Sequence, residues 1–281
     1  MSDGWRVTSD EGDTCYSSLE GVDVDLRDKV IVITGASSGF GEQIARRCAR
    51  RGANVVLAAR SSEPLEQLAQ ELRARGGRAL AVAADVTSDA DVAWLAATTL
   101  DSFGRADVLV ANAGFGVLDR IADAPIEDLQ EMIEVNLIGT TRCVKALLPS
   151  MLQRRSGQVV IMASIAGLIA THNMGYYSAS KFALVGLARA LMIELYGTGV
   201  RCALICPGSA PTGFQQRADA ARYARITRLV ACTSQQVAEA TVRAIQRRTH
   251  GEVVVPWQGR ALSILANPIP SLSRLVIRLV G

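Results

Sequence analysis

The stretch from Lys29 to Glu42, KVIVITGASSGFGE, opens on an apolar run and passes within a few residues into three glycines and a helical sequence. Val30, Ile31, Val32 and Ile33 show no alternation with polar residues, the pattern of a parallel strand covered on both faces. Gly35, Gly39 and Gly41 then fall in the strand-to-helix turn, with Ser37, Ser38 and Phe40 between them. Glycine lets the backbone turn sharply and approach a pyrophosphate, and the free N–H groups and dipole of the helix start favour an anion. Three glycines alone could equally mark a tight turn. A strand before them and a helix after them favour the phosphate cradle.

Outward from this unit the pattern repeats. Short β-branched runs alternate with longer amphipathic segments, predicting strands at Lys29–Thr34, Asn54–Ala59, Arg78–Ala84, Val108–Ala111, Gln158–Ala163, Arg201–Cys206 and Glu252–Pro256. The expected fold is α/β: a doubly wound Rossmann fold with a seven-stranded, mostly parallel sheet and helices on both faces, occupying residues 26–257 as one domain. Residues 1–25 carry seven acids against one base and no helical or alternating period, so they are expected to form a poorly ordered arm. Since the whole chain stands at +3, the remainder is at +9.

That positive charge belongs to arginines scattered along helices without interleaved aromatics, which argues for solvated helix faces and against nucleic acid. Six cysteines without a C-x-x-C pair read as buried free thiols in a reducing compartment. Neither His172 nor His250 stands at metal-ligand spacing, so no metal site is expected. No apolar run reaches bilayer length and the first residues do not resemble a signal peptide, so a cytoplasmic protein is expected.

The candidate chemistry centres on GYYSASKFALVGLARALMIEL, which reads as one long helix from Gly175. Tyr177 and Lys181 are four apart and share a face. A nearby ammonium, together with the positive charge of an oxidised nicotinamide, stabilises tyrosinate and is expected to lower the phenol pKa from about 10 toward working pH, which suits Tyr177 to proton exchange with a carbonyl or alcohol oxygen. Tyr176 has Ser180 at the corresponding position and no such partner. Ser164 follows an apolar strand at the carboxyl end, where open α/β sheets place their ligands. At the end of the second strand Ala59 replaces the acid that would read the 2′-OH of NAD, and Arg60 follows with Ser61 beside it. Forked guanidinium hydrogen bonds, with Ser61 and Ser37 as neutral donors, suit the 2′-phosphate of NADP(H).

These motifs together resemble the short-chain dehydrogenase/reductase family over about residues 28–257: TGASSGFG at 34–41, Asp85 with Val86, Asn112-Ala113-Gly114, Ser164 with Tyr177 and Lys181, and Pro207 with Gly208. The resemblance implies that Asp85, next to Val86, binds the adenine amino group and that Asn112, Ala113 and Gly114 line the adenine ribose side. It implies that Asn136 completes a catalytic tetrad by holding a water that links Lys181 to solvent. Pro207, Gly208, Ala210 and Thr212 would form the loop over the nicotinamide carboxamide. Ala111 and Pro211 depart from the family pattern at the ring-positioning loops, away from the acid/base.

The reading is therefore an NADP(H)-dependent oxidoreductase acting between nicotinamide and the carbonyl or alcohol carbon of a lipophilic small molecule. Val117, Leu118, Leu168, Ile169 and Met174 lie in segments expected to close over the substrate. An NADP-binding sensor without turnover and a membrane-surface lipid ketone reductase are the alternatives. The filled tetrad speaks against the first. The Tyr177 helix is apolar nearly all round, so it is expected to pack on its counterpart in a homodimer or homotetramer. In the tail, residues 258–281, Pro268 and Pro270 precede eleven residues with an apolar face (Leu272, Leu275, Val276, Leu279, Val280) and Arg274 and Arg278 on another. Covering a neighbouring subunit or the substrate mouth is favoured there over contact with an anionic membrane surface.

Overall fold

The computed structural model describes residues 23–170, 172–210 and 230–266. Seven strands form one sheet: β1 (Val30–Thr34), β2 (Asn54–Ala59), β3 (Arg78–Ala83), β4 (Val108–Ala111), β5 (Gly157–Met162), β6 (Val200–Pro207) and β7 (Gly251–Val255). Every pairing is parallel, in the order β3-β2-β1-β4-β5-β6-β7. From β1 the chain builds outward through β2 and β3, then returns to lay β4 on the other side. The crevice above β1 and β4 is therefore a topological switch point, where this architecture receives ligands.

All seven predicted strands occur, with ends displaced by a residue or so. β5 begins at Gly157, which pairs with Val200, and β6 runs on to Pro207, which pairs with Val255. Such ends depend on what the neighbouring strand offers, which no single strand's sequence contains.

The helices are α1 (Gly39–Arg50), α2 (Ser62–Ala74), α3 (Asp89–Phe103), α4 (Ile126–Met132), α5 (Thr140–Gln153), α6 (Gly175–Glu194), α7 (Ser234–Gln246) and α8 (Gln258–Ala266). Side-chain alternation in the strands feeds two separate cores. Val30, Val32, Leu109 and Ile161 face α3, α5 and α6, whereas Ile31, Ile33, Val110 and Val160 face α1, α2 and α7. The predicted long helix over Tyr177 is α6. Its inner side is buried, while Phe182 and Ile193 stay exposed on the single chain. Between α4 and α5 a π turn, Ile133–Gly139, interrupts what the sequence presents as one helical segment.

Cys48, Cys143, Cys202, Cys206 and Cys232 are buried free thiols, and Cys15 lies outside the described residues. Among the described residues no helix is long and apolar enough to cross a membrane. The first part of the tail is α8; Pro268, Pro270 and the apolar stripe beyond them lie outside the described residues. Thr212, Pro211 and most of residues 213–230 do so as well, as does the N-terminal arm up to residue 22. At residue 24 the chain is already tied to the body, where Val24 N–H donates to the Gln246 carbonyl at 2.7 Å.

His250, just before β7, is a structural group. Its Nδ1 accepts from the Cys202 N–H at 3.1 Å, which leaves Nε2 to donate to the Met192 carbonyl at 2.9 Å. Burial holds its pKa below the ordinary value, outweighing the Met192 contact, with Arg201 adding in the same direction. Protonation would place a proton on the nitrogen that accepts from Cys202. The folded pKa is depressed, so this contribution is complete above the unfolded value of about 6.5 and is lost as pH falls through the folded one. His250→Gln is expected to destabilise the protein by roughly 1–3 kcal/mol at neutral pH and to flatten its stability profile on the acid side, as read by denaturant titration across pH.

Candidate active site

The glycine turn is shaped by contacts that only glycine permits. Gly35 and Gly39 have φ of +64° and +59°. A Cβ on Gly41 would stand 2.2 Å from the Gly35 carbonyl oxygen, so the first turn of α1 lies directly on the loop. Ser38, at the helix start, makes no capping hydrogen bond through its side chain. The loop is braced from β4: Asn112 Nδ2 donates to the carbonyls of Thr34 at 2.9 Å and Gly35 at 3.2 Å. The Thr34 hydroxyl accepts from the N–H groups of Asn112 and Ala113, both at 3.0 Å. Asn112 thus serves as a brace with its amide committed to the loop. Thr34, not singled out from the sequence, is its counterpart; its place as the last strand residue before Gly35 was the available signal.

Arg60 projects, exposed, from the end of β2 and makes no ion pair among the described residues, and Ser61 beside it is exposed too. Across the strand ends, Asp85 Oδ1 accepts from the Thr87 N–H at 2.9 Å and the Thr87 hydroxyl at 2.8 Å. The Thr87 N–H first, then its hydroxyl and the charge of Arg60, hold the Asp85 carboxyl below the usual range against the effect of burial. Val86 fills a notch at Gly139, where a Cβ would stand 2.6 Å from Val86 Cγ2. Pro207 and Gly208 close the crevice on the other side: Gly208 N–H donates to the Val255 carbonyl at 2.7 Å, and a Cβ on Gly208 would meet the Val230 carbonyl oxygen. Ala210 is buried below them.

α6 brings Tyr177 and Lys181 to the carboxyl end of β5 as the helical spacing predicts, 6% and 4% exposed. Tyr177 shares a hydrogen bond with Ser164, which also accepts from the Ala166 N–H at 3.1 Å and reaches the Pro207 carbonyl at 3.4 Å. Lys181 Nζ lies 5.7 Å from the centre of the Tyr177 ring and donates to the Met162 carbonyl at 3.2 Å. The expected lowering of the phenol pKa is not found in the chain by itself. Burial pushes Tyr177 up to about 12 despite the Ser164 hydrogen bond, and burial pulls Lys181 down to about 8. Taking both groups out of water outweighs their proximity.

Asn136 is fully buried at the middle of the π turn. Its Oδ1 accepts from the Phe115 N–H at 2.9 Å, and its Nδ2 donates to the Phe115 carbonyl at 2.9 Å and to Ser180 Oγ at 3.0 Å. Ser180 in turn donates to the Tyr177 carbonyl at 2.8 Å. The side chain therefore ties the loop after β4 to the helix that carries Tyr177. Gly114 lies between these groups, with an ideal Cβ 2.8 Å from Asn136 Oδ1 and 3.5 Å from Lys181 Nζ. Phe115, Val117, Leu118 and Met174 pack with Met132, Ala166 and Tyr177 in a small apolar cluster at the mouth. Tyr176 packs against the same cluster, its hydroxyl reaching the Ala124 carbonyl at 3.5 Å. His172 is exposed.

Residues 29–223 match the family model described as short chain dehydrogenase. The chain belongs to this family. Oxidoreductase UcpA of Salmonella typhimurium is 43% identical over 188 residues, 66% of this chain and 71% of that protein. Ketoacyl reductase HetN of a Nostoc species is 36% identical over 233 residues, covering 82% of this chain and 79% of its own. Among solved structures, a short chain dehydrogenase/reductase from Burkholderia phymatum in complex with NAD is 31% identical, with a TM-score of 0.80 over 89% of this chain and 96% of that one. Short-chain dehydrogenases are oxidoreductases that bind a nicotinamide cofactor, and the glycine turn, the exposed Arg60 and the partly engaged Asp85 carboxylate fit such a group along the switch-point crevice. Gly41→Ala places a methyl group against backbone, which cannot yield as a side chain would. It is expected to weaken dinucleotide binding at least tenfold while far-ultraviolet circular dichroism keeps the sheet signature. Calorimetric titration checks this, and unchanged affinity would show that the turn does not hold the phosphates.

Proposed function

We propose that this short-chain dehydrogenase is an NADP(H)-dependent reductase or dehydrogenase that interconverts a carbonyl and an alcohol on a lipophilic small molecule. The observation that carries the reading is the buried Tyr177 hydroxyl, hydrogen-bonded to Ser164 and followed one turn later by Lys181, at the carboxyl end of β5. With its pKa near 12, Tyr177 holds its proton at neutral pH, the state that reduction requires of a donor.

In this reading Gly35, Ser37, Ser38, Gly39, Phe40 and Gly41 hold the pyrophosphate, Asp85 and Val86 the adenine, and Asn112, Ala113 and Gly114 shape the ribose side. Pro207, Gly208 and Ala210 border the nicotinamide. A dihydronicotinamide held there would supply the hydride to the carbonyl carbon. Tyr177 delivers its proton to the carbonyl oxygen, which Ser164 orients by a second hydrogen bond. The Lys181 ammonium stabilises the tyrosinate left behind, and the Met162 carbonyl keeps it in place. Asn136 fixes Phe115 and Ser180 around this centre; a water held there would return the proton through Lys181 to solvent. Oxidation of an alcohol runs the same transfers in reverse.

NADP(H) is favoured by Ala59 where an acid would read the ribose and by the exposed Arg60, which makes no ion pair among the described residues and acts on Asp85 only through its charge. The apolar cluster of Phe115, Val117, Leu118 and Met174 favours a lipophilic substrate. The exposed Phe182 and Ile193 on α6 support a homo-oligomer.

NADPH is expected to bind at least tenfold more tightly than NADH, since charge-assisted hydrogen bonds contribute roughly 1.5–3 kcal/mol. Arg60→Ala should narrow that gap, and fluorescence titration of both cofactors tests it; equal affinities in the wild type would sink the assignment. In assays of NADPH oxidation against a panel of hydrophobic ketones, Tyr177→Phe is expected to keep cofactor affinity and lose about two orders of magnitude in kcat. Equal turnover in the two proteins would place the acid elsewhere, and no turnover in either would favour a sensor.

A further inference from the structure

α8 follows β7 through Pro256 and Trp257 and packs over the helical turn 165–167 behind Ser164. Two contacts fix it. Glu252 on β7, its side chain 12% exposed, accepts from Arg189 on α6 at 2.6 Å and pairs with Arg260 on α8. One residue before Arg260, Gly259 lies buried on Ile165: an ideal Cβ would stand 2.3 Å from Ile165 Cδ1 and 3.2 Å from Val254 Cγ1. Leu262, one turn on, packs against the core cluster that contains Ile165, Leu168 and Ile169.

Ile165 opens the turn whose next residue, Ala166, donates its N–H to Ser164 Oγ at 3.1 Å. A hydroxyl oxygen that accepts on one side directs its remaining lone pair and its hydrogen to the other. Here those are the sides of Tyr177 and of the Pro207 carbonyl. The contacts thus run without a gap from Glu252 through Arg260, Gly259 and Ile165 to the atom that meets Tyr177.

We infer that α8 is the backstop of Ser164: Glu252 clamps Arg260, Gly259 seats Ile165, and the turn so held aims the serine hydroxyl. Glu252 and Gly259 are then positioning residues for proton transfer at Tyr177, an assignment that rests on the reductase reading above. It gives the first part of the C-terminal tail a role within its own chain.

The test uses the full-length protein. Gly259→Ala, whose methyl meets the end of the buried Ile165 side chain, is expected to lower kcat several-fold with NADPH affinity unchanged. Ile165→Val removes the Cδ1 atom that the new methyl meets, so the double variant should recover most of the loss. In a Ser164→Ala background, Gly259→Ala should cost nothing further. The Cζ resonance of isotope-labelled Tyr177, assigned by its loss in Tyr177→Phe, needs no substrate: Gly259→Ala should move it as Ser164→Ala does, and the double variant no further. Glu252→Gln, carried through the same backgrounds, serves if Gly259→Ala does not fold. A folded Gly259→Ala protein with an unmoved Tyr177 resonance, or a loss of turnover equally large without Ser164, would overturn the inference. A wild type that reduces no ketone while its resonance behaves as expected would instead remove the reductase reading and leave the backstop standing.

Discussion

Lys181 sits at the end of β5 with its ammonium on the Met162 carbonyl, taken almost wholly out of water, and that burial pulls its pKa down to about 8. A buried amine is tolerated only where other groups hold it in place and share its charge. The surrounding structure meets that requirement from several directions. Gly114 leaves room beside Nζ, the Met162 carbonyl accepts, and Asn136 locks the adjoining loop to Ser180, one residue before Lys181 on α6. The same confinement raises the Tyr177 phenol to about 12. Both shifts come from one cause, exclusion of water at the carboxyl end of β5, and the raised phenol pKa keeps the tyrosine protonated at neutral pH.

Much of this architecture is legible in the sequence because parallel strands covered on both faces must be apolar at every position. VIVI at residues 30–33 and VVIM at 159–162 can hardly be read otherwise. The pairing of Tyr177 with Lys181 is equally local, one helical turn in one helix. What escaped the sequence is what depends on partners distant in the chain. Asn112 looks like a ligand residue until its amide is seen bonded to the carbonyls of Thr34 and Gly35. The direction of the Tyr177 shift follows from burial, which spacing does not encode. The π turn at Ile133–Gly139 was missed because its residues have ordinary helical periodicity; the wider turn centres on a side chain bonded to Phe115 and Ser180.

The division of the interior into two cores has a bearing on how the site is built. α1 and the glycine turn belong to the core on one face of the sheet and α6 to the core on the other, with Tyr177 in the small cluster beside it. Their meeting is left to the strand ends, and there the contacts are polar and few: Thr34 with Asn112 and Ala113, and Ser164 with Pro207. A cofactor lying across those ends would touch both halves, which makes the alignment of one face with the other part of the binding site itself.

Among the described residues the sheet ends at β3 and β7, and unpaired backbone groups on such edges template aggregation when another chain lies alongside. β3 answers with Arg78 at its start, stacked over the Phe103 ring 5.2 Å away, and with alanines that offer little apolar area to an incoming strand. β7 answers with Pro256 directly after its last residue, where no N–H exists to extend a ladder, and with the inward charge of Glu252. The residue that clamps α8 is in this respect also a gatekeeper: it discourages sheet-to-sheet growth, a duty that would persist in a chain without any turnover.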